Sequence, residues 1–288
     1  MFEGLYTAIV TPFTATGDVD FTAFEALIEG QISAGVDGIV PVGTTGESPT
    51  LDYEEHQQVI EASVRLCAGR CRVIAGTGAN STAEAVALTR HAQSVGADGT
   101  LQVTPYYNKP NQEGLYRHFT AVADLGLPVV LYNVPGRSAL EIGLETVTRL
   151  AEHPSVVAIK EAAGSVERVS AILSRCDLEV LSGDDSLTFP MMTTGACGVI
   201  SVTSNVAPRE MVTMVQAALQ GDWATAREIH DRLYPLFHAL FLDTSPIPVK
   251  AALAMQGMIE ERYRLPLCEM DTALKDELRA IMTRLDLL

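Results

Sequence analysis

Lysine is scarce in this chain of 288 residues: Lys109, Lys160, Lys250 and Lys275 are the only four. Of these, Lys160 alone ends an apolar strand-like run, Ser155-Val-Val-Ala-Ile-Lys160. A protonated amine is no nucleophile, and with an ordinary pKa near 10.4 only about 0.04% of a free lysine is neutral at pH 7. Desolvation in a strand-walled pocket disfavours the charged form and can lower that pKa by several units, giving an amine able to attack a carbonyl carbon. A plainer reading pairs Lys160 with Glu161. Successive residues of a strand point to opposite faces, so that pairing is geometrically awkward. The expected chemistry is a Schiff base between Lys160 and a small keto acid.

Such chemistry needs a group that moves protons beside the imine carbon. Tyr132 ends the preceding apolar run and would stand next to Lys160, where its phenol could act as a shuttle; it could equally be an ordinary half-buried tyrosine. Gly43-Thr-Thr-Gly46-Glu47-Ser48 is a glycine-rich loop that lacks a lysine at Walker spacing, and its hydroxyls and backbone N–H groups suit a carboxylate as well as a phosphate. Arg137, in Asn133-Val-Pro-Gly-Arg137, reads either as a bidentate carboxylate clamp or as a surface loop arginine. Asp184 and Asp185 have no third metal ligand near them, so a helix cap is the favoured reading. The six histidines are dispersed, and Met191 and Met192 read as core filler. No metal and no cofactor is expected.

The elements that must position these groups follow one pattern. Short apolar runs rich in Val and Ile fall at 5–10, 38–42, 72–75, 99–103, 128–132, 156–160, 178–181 and 198–202, and they mostly do not alternate with polar residues. That suits parallel strands covered on both faces. Helical patterns lie between them, as at 21–34 and 82–95, with Asp52, Ser81 and Pro208 at expected helix starts. The joint Gly35-Val-Asp-Gly38 recurs as Gly96-Ala-Asp-Gly99 and Gly195-Ala-Cys-Gly198, which argues for one βα unit used repeatedly. Eight such units predict a (β/α)₈ TIM barrel over 1–225, with a C-terminal helical segment over 226–288. A doubly wound open sheet is the rival, weakened by the lack of a G-x-G-x-x-G turn. In a barrel the site sits where strands end. There the chain offers hydroxyls, phenols and one amine, with no histidine cluster and no cysteine nucleophile.

Composition narrows the class. The chain is 47% hydrophobic and 19% charged, ample for a large core. A formal charge of −16 argues against nucleic acid or an anionic membrane as partner. Five scattered cysteines point to free thiols in a reducing compartment. With no basic leader at the start and no long apolar run, a cytoplasmic location is expected.

Taken in order, Gly43-Thr-Thr-Gly-Glu-Ser48, Val103-Thr-Pro-Tyr-Tyr-Asn108, Leu131-Tyr-Asn-Val-Pro-Gly-Arg137, Ile159-Lys-Glu161 and Ser182-Gly-Asp-Asp185 closely resemble the dihydrodipicolinate synthase family of pyruvate-dependent class I lyases, from Leu5 to about Gly257. The resemblance implies a homotetramer, a dimer of tight dimers, condensing pyruvate with L-aspartate 4-semialdehyde on the route to diaminopimelate and lysine. It implies Lys160 as the Schiff-base lysine, with Tyr132, Thr44 and Tyr107 as a proton relay and Tyr107 supplied across the tight dimer interface. It places the pyruvate carboxylate on Thr45, the semialdehyde carboxylate on Arg137, and backbone groups of Gly183 and Ile200 along the pocket. It further implies a lysine effector at Ser48, His56, Asn80, Glu84 and Tyr106. Pro49 and Tyr53 depart from the lysine-sensitive pattern, as Ala163 and Ser245 depart from commoner residues elsewhere.

Two other readings stand beside this one. An aldolase for N-acetylneuraminate or a 2-keto-3-deoxy sugar acid would share the fold and the lysine, but generally lacks an arginine at 137. A non-catalytic barrel that senses lysine or a keto acid would form no covalent adduct.

Overall fold

The computed structural model describes residues 1–288. Eight parallel strands close into a barrel in sequence order: β1 (Gly4–Thr7), β2 (Gly38–Ile39), β3 (Arg72–Gly76), β4 (Gly99–Val103), β5 (Val129–Asn133), β6 (Val156–Glu161), β7 (Glu179–Ser182) and β8 (Gly198–Ser201). β1 pairs with both β2 and β8, which closes the ring. This is the TIM barrel, and the open-sheet alternative is excluded. β4 matches its expected span and most other strand ends differ from expectation by one residue; β1 and β2 stop three residues short, because their apolar runs continue past the last ladder hydrogen bond into the loops.

Strand alternation sorts the side chains into two apolar bodies. Tyr6, Ile74, Leu101, Val130, Tyr132, Ala158, Leu181 and Ile200 point into the barrel. Ile39, Val73, Val129, Leu131, Ile159, Val180 and Val199 point outward and pack with the surrounding helices into one large cluster. Phe2 and Tyr6 fill the lower end, edge to face with centroids 6.0 Å apart. This explains the recurrent joint. Gly35, Gly96 and Gly195 have φ of 87°, 89° and 107°, the left-handed region that ends a helix cheaply only with glycine. At the second glycine the need is space: a Cβ on Gly38 would lie 2.6 Å from the Tyr6 ring.

Helix Phe21–Ala34 coincides with its expected span, and Asp52 forms a full capping box with Glu55 at the start of helix Tyr53–Cys67. Pro208 opens its helix as expected, whereas Ser81 precedes helix Thr82–Ser94 without a side-chain cap bond. Helices Trp223–Ala239, Ile247–Met255 and Thr272–Arg284 bury Leu236, Val249, Leu253 and Leu278 in the same cluster that covers the outer faces of the strands. No helix is long and apolar enough to cross a membrane.

Candidate active site

Lys160 follows Ala158 on the inward-facing side of β6, one layer nearer the carboxyl end, and it is only 5% exposed. Register pairs it with Tyr132 of β5, and its Nζ lies 4.3 Å from the Tyr132 ring centroid. Glu161 points the other way. Its carboxylate, fully buried, accepts from Asn133 Nδ2 at 2.9 and 3.1 Å, from the Ala163 amide at 2.9 Å and from Arg168 Nε at 3.0 Å. Burial pushes that carboxyl up, while Arg168 and Asn133 pull it down. The Lys160–Glu161 pair is therefore absent, for the alternation reason: Glu161 is engaged by Arg168 behind the strand.

The amine opens into a cavity of about 80 Å³ shared with Thr44, Thr45, Tyr132, Arg137 and Gly183. Gly183 has a steric reason: a Cβ there would meet Ala162 Cβ at 2.6 Å and Lys160 Cε at 3.0 Å, so only glycine lets the chain pass this close to the amine. Loop 43–48 folds on itself, the amides of Gly46 and Glu47 bonding to the carbonyls of Gly43 and Thr44 at 3.1 Å each. That leaves the Thr44 and Thr45 amides outside the loop's own backbone bonds. Arg137, on the short helix Pro135–Ser138, is steadied by a 3.0 Å bond from Nη2 to the Ser245 carbonyl.

Ile200 and the two aspartates differ in detail from expectation. Ile200 is fully buried in the barrel interior, and Val202 forms the cavity wall on that side. Tyr107, expected to act across a dimer interface, lines neither cavity at the barrel mouth of its own chain and stands 90% exposed at φ 74°. Neither aspartate caps a helix. Asp184 precedes helix Asp185–Thr193 without a side-chain cap bond and lines the cavity instead. Burial pushes its carboxyl up, against the pull of Lys160. Asp185 Oδ2 accepts from the amides of Val202 (3.0 Å) and Thr203 (2.8 Å) and from the Thr203 hydroxyl (2.9 Å), tying the chain just after β8 to the start of helix Asp185–Thr193. Phe241 and Ser245 also reach the cavity from the C-terminal segment. Asp184 stood among the strand-end residues in the sequence, but nothing there distinguished Phe241, an apolar residue at the end of a helical pattern.

Such a cavity is lined by one buried amine, a phenol, three hydroxyl residues, a carboxyl and a guanidinium, which suits carbonyl condensation by a lysine. The sequence profile of the Dihydrodipicolinate synthetase family matches residues 1–285. The chain belongs to that family. The likeness that the motifs carry to about residue 257 thus runs nearly to the end. A 4-hydroxy-tetrahydrodipicolinate synthase of Thermodesulfovibrio yellowstonii is 52% identical over 285 residues, 98% of each chain. Among solved structures, the chloride-inhibited dihydrodipicolinate synthase of Acinetobacter baumannii complexed with pyruvate is 44% identical, with a TM-score of 0.98 over 100% of both chains. The enzyme of Cyanidioschyzon merolae with lysine bound is 42% identical, with a TM-score of 0.96 over 100% of this chain and 99% of that one.

The positions that family likeness assigns to a lysine effector lie beside the barrel mouth. Ser48 and Tyr106 line a second cavity of about 200 Å³, which shares Thr44, Tyr132 and Arg137 with the first. Asn80 Nδ2 donates to the Tyr106 carbonyl at 3.3 Å, and Asn108 Nδ2 donates to the Asn80 carbonyl at 2.8 Å. Glu84 is exposed and lies close enough to Tyr53 and Tyr106 to help burial push both phenols up. Pro49, one of the two departures, lines the second cavity.

His56 is buried with its Nδ1 unpartnered, and burial lowers its pKa to about 4; His118 is lowered to about 4 for the same reason. An unfolded histidine takes its proton near 6.5. Between pH 6.5 and 4 the unfolded chain therefore binds more protons than the folded one, and stability is lost as pH falls. Each ring contributes a slope of up to about 1.4 kcal/mol per pH unit. Urea midpoints at pH 7 and pH 4.5 should show this decline, and His118→Gln should make it shallower; the same midpoint at both pH values would contradict it.

Proposed function

We propose that the protein is a 4-hydroxy-tetrahydrodipicolinate synthase that joins pyruvate to L-aspartate 4-semialdehyde through a Schiff base on Lys160. The observation that carries this reading is the buried Lys160 amine, turned into a cavity beside Tyr132 while the adjacent Glu161 is held by Arg168 on the opposite face. The relatives at about half identity over the whole chain support it.

Each step is assigned to residues that line the cavity. The unprotonated amine of Lys160 adds to the pyruvate ketone, and the carbinolamine loses water to give an iminium, with Tyr132 and Thr44 passing the protons. Thr45 and the loop amides hold the pyruvate carboxylate. The iminium accepts the electron pair left when a methyl proton departs, giving an enamine. Its carbon attacks the aldehyde of the semialdehyde, whose carboxylate Arg137 grips. The amine of the semialdehyde portion then adds to the imine carbon and displaces Lys160, closing the ring. One water is released overall, and the lysine is regenerated.

Treating the protein with pyruvate and borohydride should add one reduced pyruvyl group, mapped to the peptide bearing Lys160. An unchanged mass sinks the enzyme reading and favours a non-catalytic sensor. Cleavage of a sugar acid in preference to turnover of the semialdehyde would favour the aldolase reading, against which Arg137 argues. Arg137→Ala is expected to raise the KM for semialdehyde about 10- to 100-fold with the pyruvate adduct intact; a change in the pyruvate KM alone would assign the guanidinium to the other carboxylate.

The same reading includes assembly and control. In a tight dimer, paired again into a tetramer, the outward Tyr107 of one subunit would complete the relay of its partner. Lysine would bind at Ser48, His56, Asn80, Glu84 and Tyr106, with the response modified by Pro49 and Tyr53. The lysine-bound relative from Cyanidioschyzon merolae supports the effector.

A further inference from the structure

Loop 43–48 brings Thr44 and Thr45 to the cavity, yet its internal bonds only fold it onto itself. Thr11 fixes one point, its hydroxyl donating to the Gly46 carbonyl at 2.7 Å. The other anchor is Glu47, 1% exposed and held at φ 54°, a conformation uncommon outside glycine. Its carboxylate forms an ion pair with Lys250 Nζ, both side chains being fully buried, and accepts a 3.3 Å bond from the Arg264 amide.

Both partners come from the C-terminal segment, more than 200 residues along the chain. They are themselves held fast. The Phe13 ring contacts both, its centroid 4.2 Å from Lys250 Nζ and 4.4 Å from the Arg264 guanidinium carbon. The Arg264 guanidinium donates to Gly17, Thr50 and Glu55, at 2.6 Å to each Glu55 oxygen. Burial pushes the Lys250 ammonium down and Glu47 opposes it.

A dry ion pair contributes little net stability, because desolvation offsets the attraction. What this one supplies is direction: it clamps the residue two positions beyond Thr45 to the C-terminal segment. We propose that Glu47 and Lys250 are positioning residues for the condensation, setting the loop so that Thr44 and Thr45 meet the bound keto acid. The inference rests on the roles given above to those two threonines.

Four full-length variants test it: Glu47→Gln, Lys250→Met, the double variant, and Leu278→Ala as a remote core lesion. Each single is expected to lower kcat/KM for pyruvate about 100-fold, the scale of an ångström-sized misplacement. In the double variant no charge is left unpaired, so the thermal midpoint should recover while kcat/KM stays at least about tenfold down. Leu278→Ala should lose stability with normal kinetics. Recovery of both stability and kinetics in the double variant would make the pair merely structural and overturn the proposal, as would singles with wild-type kinetics. Should Glu47→Gln not fold, Glu47→Asp keeps the charge and shortens the reach; it should raise the pyruvate KM several-fold, and an unchanged KM overturns the proposal. Absence of a pyruvate adduct in the wild type would remove the reading of the whole site and this inference with it, whereas wild-type turnover with undisturbed variants removes the pair alone.

Discussion

Replacing Lys160 by alanine is expected to lower kcat/KM by about 10⁴-fold or more and to abolish the borohydride-trapped adduct. No other amine can stand in. Lys250 is locked against Glu47, Lys275 bonds to Glu261 at 2.7 Å, and Lys109 is exposed in the loop after β4. The fold should tolerate the change, because the side chain already borders open volume and makes no ion pair with its neighbour Glu161. The loss should therefore appear in the chemistry with a nearly unchanged thermal midpoint. Asp184 offers an independent readout. Burial already pushes its carboxyl up and Lys160 pulls it down, so removing the amine should move it further up. A variant retaining activity within tenfold of wild type, or still gaining mass with pyruvate, would place the nucleophile elsewhere.

The placement of Lys160 was legible in the sequence because strand alternation is a local rule. Once 156–160 is a strand, Lys160 and Glu161 must face opposite ways, and register with β5 sets Tyr132 beside the amine. The glycine joints were legible for a similar reason, since a helix end followed at once by a crowded strand start leaves little choice of residue. What alternation cannot supply is pairing across the chain. Glu47 and Lys250 are 203 residues apart, and neither has a periodic signature linking it to the other. Asp185 reads as a helix cap from its position, yet its carboxylate is captured by the amides of Val202 and Thr203, which only the closed barrel brings near. The exposed Tyr107 shows another limit: it lines neither cavity of its own chain, so only the family likeness, and not the geometry, suggests a role for it.

Tyr132→Phe tests the relay with the least disturbance. The ring that packs against Lys160 Nζ and the barrel-interior cluster is kept, and only the hydroxyl is lost. Tyr132 is 7% exposed, so bulk water is kept from replacing the phenol as a proton carrier. Carbinolamine collapse and enamine formation both require proton transfer at atoms bonded to or next to the imine carbon, and a positioned acid–base group supplies about 10²- to 10⁴-fold at such steps. The variant should accordingly lose about 10²-fold or more in kcat, with a pyruvate KM close to wild type, since the carboxylate hold proposed for Thr45 is untouched. Single-turnover mixing with pyruvate should show the Lys160 adduct forming slowly but to full extent, the mark of a lost proton shuttle and not of lost binding. If kcat stays within about threefold of wild type, the phenol is only packing against the amine, and Thr44 with solvent must carry the protons instead.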